Sequence, residues 1–144
     1  MNAARILLVD DDDGMRLALR RALEHEGHAV IEATNGKHAL ERLQETTVDL
    51  VITDIIMPDA EGLELTFILH KTHPHLPVIV ISGGGNLTPE FHLSLARHAG
   101  ATHVFAKPFV MEDLLAKVRA LIPQIRIKNS PPSDQRRASS GSPP

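Results

Sequence analysis

Short apolar runs alternate along the chain with longer stretches in which apolar residues recur at helical spacing. Val, Ile and Leu fill the central runs almost without interruption, as in strands that are buried on both faces. The predicted strands are 5–9, 28–32, 49–53, 77–81 and 102–106, and the predicted helices are 14–26, 36–45, 61–71, 87–98 and 110–122. This alternation predicts an α/β domain with a doubly wound, five-stranded parallel sheet that is covered by five helices.

The composition changes abruptly after Ile122. Residues 123–144 contain five Pro and five Ser, and their large aliphatic side chains are only Ile125 and Ile127. Such a segment buries too little apolar surface to order itself. We therefore predict one domain over residues 1–122, followed by a disordered tail or truncated linker over 123–144.

Charge and composition exclude several classes of function. The 144 residues carry a net charge of -3, with 17 acidic and 11 basic side chains in residues 1–122, and the chain lacks Cys, Trp and Tyr. Disulfides, thiolate nucleophiles and Cys-bearing metal sites are excluded. An acidic domain without aromatic stacking platforms argues against direct nucleic-acid binding. No signal peptide or membrane span is evident, so we expect a cytoplasmic protein without membrane contact.

Carboxylates follow two of the predicted strands. Asp10 and Asp11 come directly after the first strand, and Asp54 follows the third. Because sites of such sheets lie at the carboxyl ends of the strands, these oxygens predict a site for a hard cation, Mg²⁺ or Mn²⁺. Asp54, beside that cation, would be placed to attack phosphorus. The alternative is a solvated loop and a turn-forming Asp. Asp13 is predicted to cap the first helix, and Asp12 receives no role.

Two further strand ends carry a hydroxyl and a cation. Ser82 precedes three glycines, so that its hydroxyl and the exposed backbone N–H groups can bind a phosphoryl oxygen. Lys107 follows the fifth strand and brings a positive charge to a rim of acids. Pro108 favours a cis peptide that would aim Lys107 inward. The alternatives are a flexible glycine loop and a solvated surface lysine.

This order of residues resembles the receiver domain of two-component response regulators, as in the chemotaxis regulator, over residues 4–122. The resemblance implies the flavodoxin-like receiver topology. It also implies that Asp54 accepts a phosphoryl group from a histidine kinase. Asp10, Asp11 and Asp54 would hold Mg²⁺, with Mn²⁺ as the substitute, and Ile56 would contribute its backbone carbonyl to the metal.

The same resemblance implies that the Ser82 hydroxyl turns toward the phosphoryl group and that Lys107 pairs with it. It implies a signalling domain that catalyses its own phosphotransfer and dephosphorylation, rather than an enzyme. The implied partners are a sensor histidine kinase or histidine phosphotransfer protein and a downstream effector or output domain. A homodimer through the fourth helix, fifth strand and fifth helix is a further option.

Two positions depart from the family pattern, and two other functions stay open. Val104 stands where the family usually has an aromatic residue, with Phe105 predicted on the opposite face of its strand. Gly83 stands where Ala is common. One alternative is a Mg²⁺-dependent phosphatase that works through an aspartyl-phosphate. Such an enzyme needs a second carboxylate two residues after Asp54, where this chain has Ile56. The other alternative is an inactive pseudo-receiver scaffold.

Overall fold

The computed structural model describes residues 3–55, 61–83 and 88–128. Strands and helices alternate over these residues as the hydrophobic pattern predicts. The strands are β1 (Arg5–Val9), β2 (Ala29–Ala33), β3 (Leu50–Asp54), β4 (Val78–Ser82) and β5 (His103–Ala106). The helices are α1 (Asp13–His25), α2 (Gly36–Glu45), α3 (Glu61–Thr72), α4 (Pro89–His98) and α5 (Met111–Lys128).

The five strands form one parallel sheet in the order β2-β1-β3-β4-β5. Its register aligns the carboxyl ends of the strands at one edge. Asp54 lies opposite Ile81, and Ser82 lies opposite Ala106. The predicted doubly wound sheet is confirmed. The polar residues that end β3 and β4 and those that follow β1 and β5 meet at this edge.

Apolar side chains form a core on each face of the sheet. Alternate residues of a strand point to opposite faces, so that Ile6 belongs to the core that contains residues of α1 and α5, whereas Leu7 belongs to the core that contains residues of α2, α3 and α4. Every residue of β3 and β4 is buried, as expected of central parallel strands. Val104 and Phe105 lie against opposite cores, which confirms the prediction from strand alternation, and Phe105 is partly buried.

The helix cap at the start of α1 differs from the prediction. Asp12, not Asp13, is the N-cap: its backbone is extended, and its side chain accepts hydrogen bonds from the backbone N–H groups of Gly14 and Met15. Asp13 is already helical and forms an ion pair with Arg16. Asp is a preferred N-cap residue, so either of two adjacent Asp residues could cap the helix, and only the backbone conformation decides between them.

The last helix also extends beyond its predicted end. It continues past Ile122 and through Pro123 to Lys128. An interior proline removes one N–H donor and its ring crowds the carbonyl four residues before it, which disfavours a helix, but α5 continues through Pro123. The composition of residues 123–144 indicates how little apolar surface they can bury, but it does not determine where the helix ends. The predicted tail thus begins inside α5, and its remainder, 129–144, lies outside the described residues.

Candidate functional site

Asp54 is the last residue of the central strand β3, and only 5% of it is exposed. The first turn of α3 packs directly on its backbone. A Cβ atom at Gly62 would lie 2.0 Å from the carbonyl oxygen of Asp54 and 2.6 Å from the Cα of Ile55. Because no side chain fits there, Gly62 is what allows α3 to hold the end of β3 in place.

Asp10 follows β1 and is 1% exposed. Its backbone N–H donates to the carbonyl of Ala33 at 3.1 Å, and its Oδ1 accepts from the backbone N–H of Asp12 at 2.9 Å. Its other carboxylate oxygen, Oδ2, is buried and has no hydrogen-bond partner among the described residues. Asp11, the next residue, is exposed.

Burial is the largest influence on the Asp10 carboxyl and raises its pKa to about 6. The Asp12 N–H lowers this pKa, the negative charge of Asp54 raises it, and the ammonium of Lys107 lowers it. Mutual repulsion of Asp10 and Asp54 shows that the ends of β1 and β3 bring their carboxylates within electrostatic range.

Lys107 connects β5 to Asp54. Its Nζ donates to Asp54 Oδ2 at 2.8 Å, although the two residues are far apart in the sequence. Burial alone would lower the pKa of the lysine, but its hydrogen bond to Asp54 and the charges of Asp54 and Asp10 outweigh that influence, so the pKa lies above its usual value. The Lys107–Pro108 peptide is cis, as predicted.

Ser82 is the last residue of β4, the strand that pairs with β5. The backbone N–H of Lys107 donates to its carbonyl oxygen at 2.7 Å. Its side chain is fully buried, and within the described part of the chain its hydroxyl has no hydrogen-bond partner. The next residue, Gly83, leaves room for the Lys107 stem, since a Cβ there would lie 2.5 Å from the Cβ of Lys107.

These residues form a polar cluster at the carboxyl edge of the sheet. Asp10, Asp54 and Lys107 are within electrostatic reach of one another, Ser82 is joined to Lys107 through the backbone, and Asp11 lies at the exposed side. Ile56 lies outside the described residues. Gly62 and the capping role of Asp12 were not predicted. A glycine in the first turn of a predicted helix was the available signal for the former.

The polar cluster has oxygen ligands of the kind that a hard cation requires. In ranges 3–55, 61–83 and 88–128, no group of three or more Asp, Glu or His side chains could hold a metal ion by itself. Mg²⁺ does not need such a group, because it commonly binds one or two carboxylates and keeps several waters. The unpartnered, buried oxygen of Asp10 therefore fits a hard cation that is shared with exposed Asp11 and with water.

A doubly wound parallel sheet with acids after β1 and at the end of β3, a hydroxyl at the end of β4 and a lysine after β5 defines a receiver-type signalling domain. The sequence profile of the family described as "Response regulator receiver domain" matches residues 6–119. The chain belongs to this family, the receiver domains of two-component signal transduction.

Curated relatives and solved structures agree with this assignment. The chain is similar to the response regulator MprA of Mycobacterium ulcerans, with 34% identity over 132 residues that cover 92% of this chain and 56% of that protein. It is also similar to a CheY-like receiver domain protein from Methanospirillum hungatei, with 30% identity, a TM-score of 0.77 and coverage of 87% of this chain and 98% of that one.

A third similarity is to NtrX from Brucella abortus, with 34% identity and a TM-score of 0.77 over 88% of this chain and 28% of that one. Among the curated relatives that it matches, such as MprA, the chain spans about half of their length. Of the helices in the described ranges, none combines the length and the apolar character needed to cross a membrane.

Proposed function

We propose that this receiver domain accepts a phosphoryl group on Asp54 from a histidine kinase or a histidine phosphotransfer protein, in a Mg²⁺-dependent reaction. The observation that carries the proposal is the pair formed by Asp54 and Lys107 beside Asp10, whose Oδ2 is buried without a partner among the described residues. Phosphoryl transfer to a carboxylate requires a nucleophile, a positive charge that stabilises the phosphoryl oxygens and a ligand for the metal ion. Asp54, the ammonium of Lys107 and the Asp10 carboxylate can supply these three.

Each residue has a distinct role in the proposed reaction. A carboxylate oxygen of Asp54 attacks phosphorus, the bond between phosphorus and the donor imidazole nitrogen breaks, and the imidazole leaves with the electron pair. Lys107 then pairs with a phosphoryl oxygen, and the Ser82 hydroxyl donates to another. When bound by Asp10, Asp11, Asp54 and the carbonyl of Ile56, Mg²⁺ or Mn²⁺ would screen the negative charges that meet in this step.

Phosphorylation with a small donor tests the nucleophile. The wild-type chain, incubated with acetyl phosphate and Mg²⁺, is expected to gain one phosphoryl group by intact-mass analysis, and Asp54→Asn is expected to gain none. Asp49→Asn is the matched control, because Asp49 precedes the same strand at its other end, where its side chain accepts from the backbone N–H of Arg5 at 2.8 Å. An equal gain in wild type and Asp54→Asn would overturn the proposal.

The second candidate function, an aspartyl-phosphate phosphatase, needs a general acid two residues after the nucleophile. That position is Ile56, which carries no ionisable group. We therefore propose a phosphoacceptor domain that hydrolyses only its own aspartyl-phosphate. Sustained turnover of a small phosphomonoester by the wild type, abolished in Asp54→Asn, would instead establish the phosphatase.

We further propose that phosphorylation acts on an effector or output domain, in keeping with the greater length of the relatives. The surface formed by α4, β5 and α5 carries exposed Phe91 and is the proposed contact, including for a homodimer. Sedimentation of the chain with and without beryllofluoride tests the homodimer. An unchanged sedimentation coefficient would exclude this form of output.

A further inference from the structure

Arg16, on the first turns of α1, lies at the centre of a hydrogen-bond network that reaches the backbone of Asp10. Its side chain is only 14% exposed. Its guanidinium donates to three acceptors on three segments: Nη1 to the backbone carbonyl of Asp10 at 2.7 Å, Nε to Glu32 Oε1 at 2.8 Å and Nη2 to Asp13 Oδ1 at 2.6 Å. It thus joins the end of β1, the start of α1 and strand β2.

The guanidinium is itself held in position. The second carboxylate oxygen of Glu32 pairs with Arg20, whose Nε in turn donates to Glu24 at 3.1 Å. A planar fork with fixed donors, locked on one side by Glu32, defines the position of the Asp10 carbonyl on the other. That carbonyl belongs to the planar peptide that joins Asp10 to Asp11, so its orientation fixes the position of the Asp11 Cα, from which the Asp11 side chain extends.

We propose that Arg16 is a positioning residue for the divalent-cation site, acting through the Asp10–Asp11 peptide. The inference rests on the proposed function, because it assumes that Asp10 and Asp11 bind the cation. Arg16 does not itself contact the ion. Partners of this kind, which orient the ligands of a metal, typically contribute about 10- to 100-fold to metal affinity.

Electrostatics and positioning predict opposite effects when Arg16 is replaced. Removing a positive charge near a cluster of acids should tighten the binding of a cation through Coulomb attraction alone. Loss of the contact with the Asp10 carbonyl should weaken cation binding, since the carboxylates of Asp10 and Asp11 are then no longer held together. The direction of the change therefore distinguishes the two influences.

The test is a titration of the full chain with Mg²⁺ alone, followed by NMR. Arg16→Gln is expected to bind Mg²⁺ about tenfold more weakly than the wild type. Arg20→Gln is the matched control, because it removes the same charge one turn along α1 and also loses a Glu32 contact, but leaves the bond from Arg16 to Asp10 intact. We expect its Mg²⁺ affinity to equal or exceed that of the wild type. Equal affinities for Arg16→Gln and Arg20→Gln would overturn the proposal.

Two further measurements guard against a variant that does not fold. Arg16→Lys keeps the charge, but a single ammonium cannot reach all three acceptors, so its Mg²⁺ affinity should also fall. In the wild type, the Nε–H signal of Arg16 should shift during the titration with the same midpoint as the Asp11 amide, while that of Arg20 should stay still. A silent Arg16 signal beside a responding Asp11 amide would contradict the positioning role.

Failure of the proposed function gives a different result. If wild type and Asp11→Ala respond identically to Mg²⁺, the acid pair does not bind the ion and the proposed function itself is wrong. If Asp11→Ala loses Mg²⁺ binding while Arg16→Gln and Arg16→Lys retain wild-type affinity, the cation site is established and only the role of Arg16 is refuted.

Discussion

The two ends of the sheet bury polar groups in different ways. At the amino end, the buried ring of His28 accepts a hydrogen bond from the backbone N–H of Ala4 at 3.1 Å, and the Thr102 hydroxyl accepts one from the Val78 N–H at 3.0 Å. At the carboxyl end, Asp10 Oδ2 and the Ser82 hydroxyl are buried without a hydrogen-bond partner among the described residues.

Unpaired buried polar atoms are rare, because each one lowers the free energy of unfolding and so makes the folded chain less stable. Both such atoms lie at the edge that carries Asp54 and Lys107. The amino end of the sheet is therefore built for stability, whereas the carboxyl end gives up stability and keeps hydrogen-bonding capacity for a ligand. If this comparison is right, substitutions at the two ends should change stability in opposite directions.

The largest expected effect is a gain of stability in Asp10→Asn. The pKa of Asp10 is about 6 in the folded chain against 3.8 ordinarily, so its contribution to stability is complete below pH 3.8 and is lost as the pH rises through about 6. A shift of this size corresponds to roughly 3 kcal/mol at neutral pH. Denaturant unfolding without metal should show Asp10→Asn to be more stable by up to that amount, since Asn stays neutral and can still accept from the Asp12 N–H.

Asp11→Asn is the control for this effect. Asp11 is the neighbouring carboxylate but is exposed, so we expect a change of no more than about 0.5 kcal/mol. Mg²⁺ should stabilise the wild type and leave Asp10→Asn unchanged, because a ligand stabilises only the state that binds it. An Asp10→Asn variant that is less stable than the wild type at neutral pH would show that the carboxylate is satisfied in the folded chain.

A Cβ atom at Gly62 tests how rigidly α3 holds the functional edge. Gly62→Ala would place a methyl group 2.0 Å from the Asp54 carbonyl oxygen, so the helix or the strand end must move. Overpacking of this kind typically costs about 1–3 kcal/mol. Gly14→Ala is the matched control, since Gly14 is also the second residue of a helix, and a Cβ there meets its nearest described atom at 3.4 Å. Equal unfolding free energies for the two variants would contradict the close packing of α3 on Asp54.

Most of the fold was predictable because it follows from local patterns. The strand runs differ from the observed bounds by at most a residue at either end, since a parallel sheet buried on both faces leaves an apolar signal in each central strand. Asp54, Ser82 and Lys107 were predicted as neighbours from their positions at strand ends. The sheet register confirms the alignment of these ends, and the 2.8 Å bond from Lys107 to Asp54 follows from it.

The remaining features depend on conformation or on long-range contacts. Asp12 and Asp13 are chemically identical, and the backbone alone makes Asp12 the cap. The contact of Arg16 with Glu32 joins α1 to a different strand, so no sequence spacing reveals it. The fit of Gly62 against Asp54 depends on how closely a helix approaches a strand, which hydrophobic periodicity does not measure.

His28 tests the amino end of the sheet through pH. Burial lowers the pKa of its ring from the usual 6.5, so the neutral ring is favoured in the folded chain and the contribution to stability is lost as the pH falls below 6.5. His28→Asn should retain an acceptor for the Ala4 N–H and lose this pH dependence. The comparison belongs in the Asp10→Asn background, because Asp10 changes stability in the opposite direction as the pH falls. Parallel pH profiles for the two chains would show that His28 does not titrate with folding.

The smallest expected effect compares two buried hydroxyls at the carboxyl end. Ser82 has no hydrogen-bond partner in the described residues, whereas Thr53 donates to the backbone carbonyl of Asp54 at 3.0 Å. Ser82→Ala removes an unsatisfied hydroxyl and should leave stability unchanged or raise it by up to about 1 kcal/mol. Thr53→Val removes a satisfied one and should lower stability by about 1 kcal/mol.

The opposite signs are the informative result, because both side chains are fully buried on neighbouring strands. Denaturant unfolding of both variants in the absence of Mg²⁺ and phosphoryl donor measures the difference. In the presence of acetyl phosphate and Mg²⁺, Ser82→Ala should gain less stability than the wild type does, since the phosphoryl group then lacks the hydroxyl donor of Ser82. A loss of stability in Ser82→Ala equal to that in Thr53→Val would mean that the Ser82 hydroxyl is already paired, and the contrast between the two ends of the sheet would then rest on Asp10 alone.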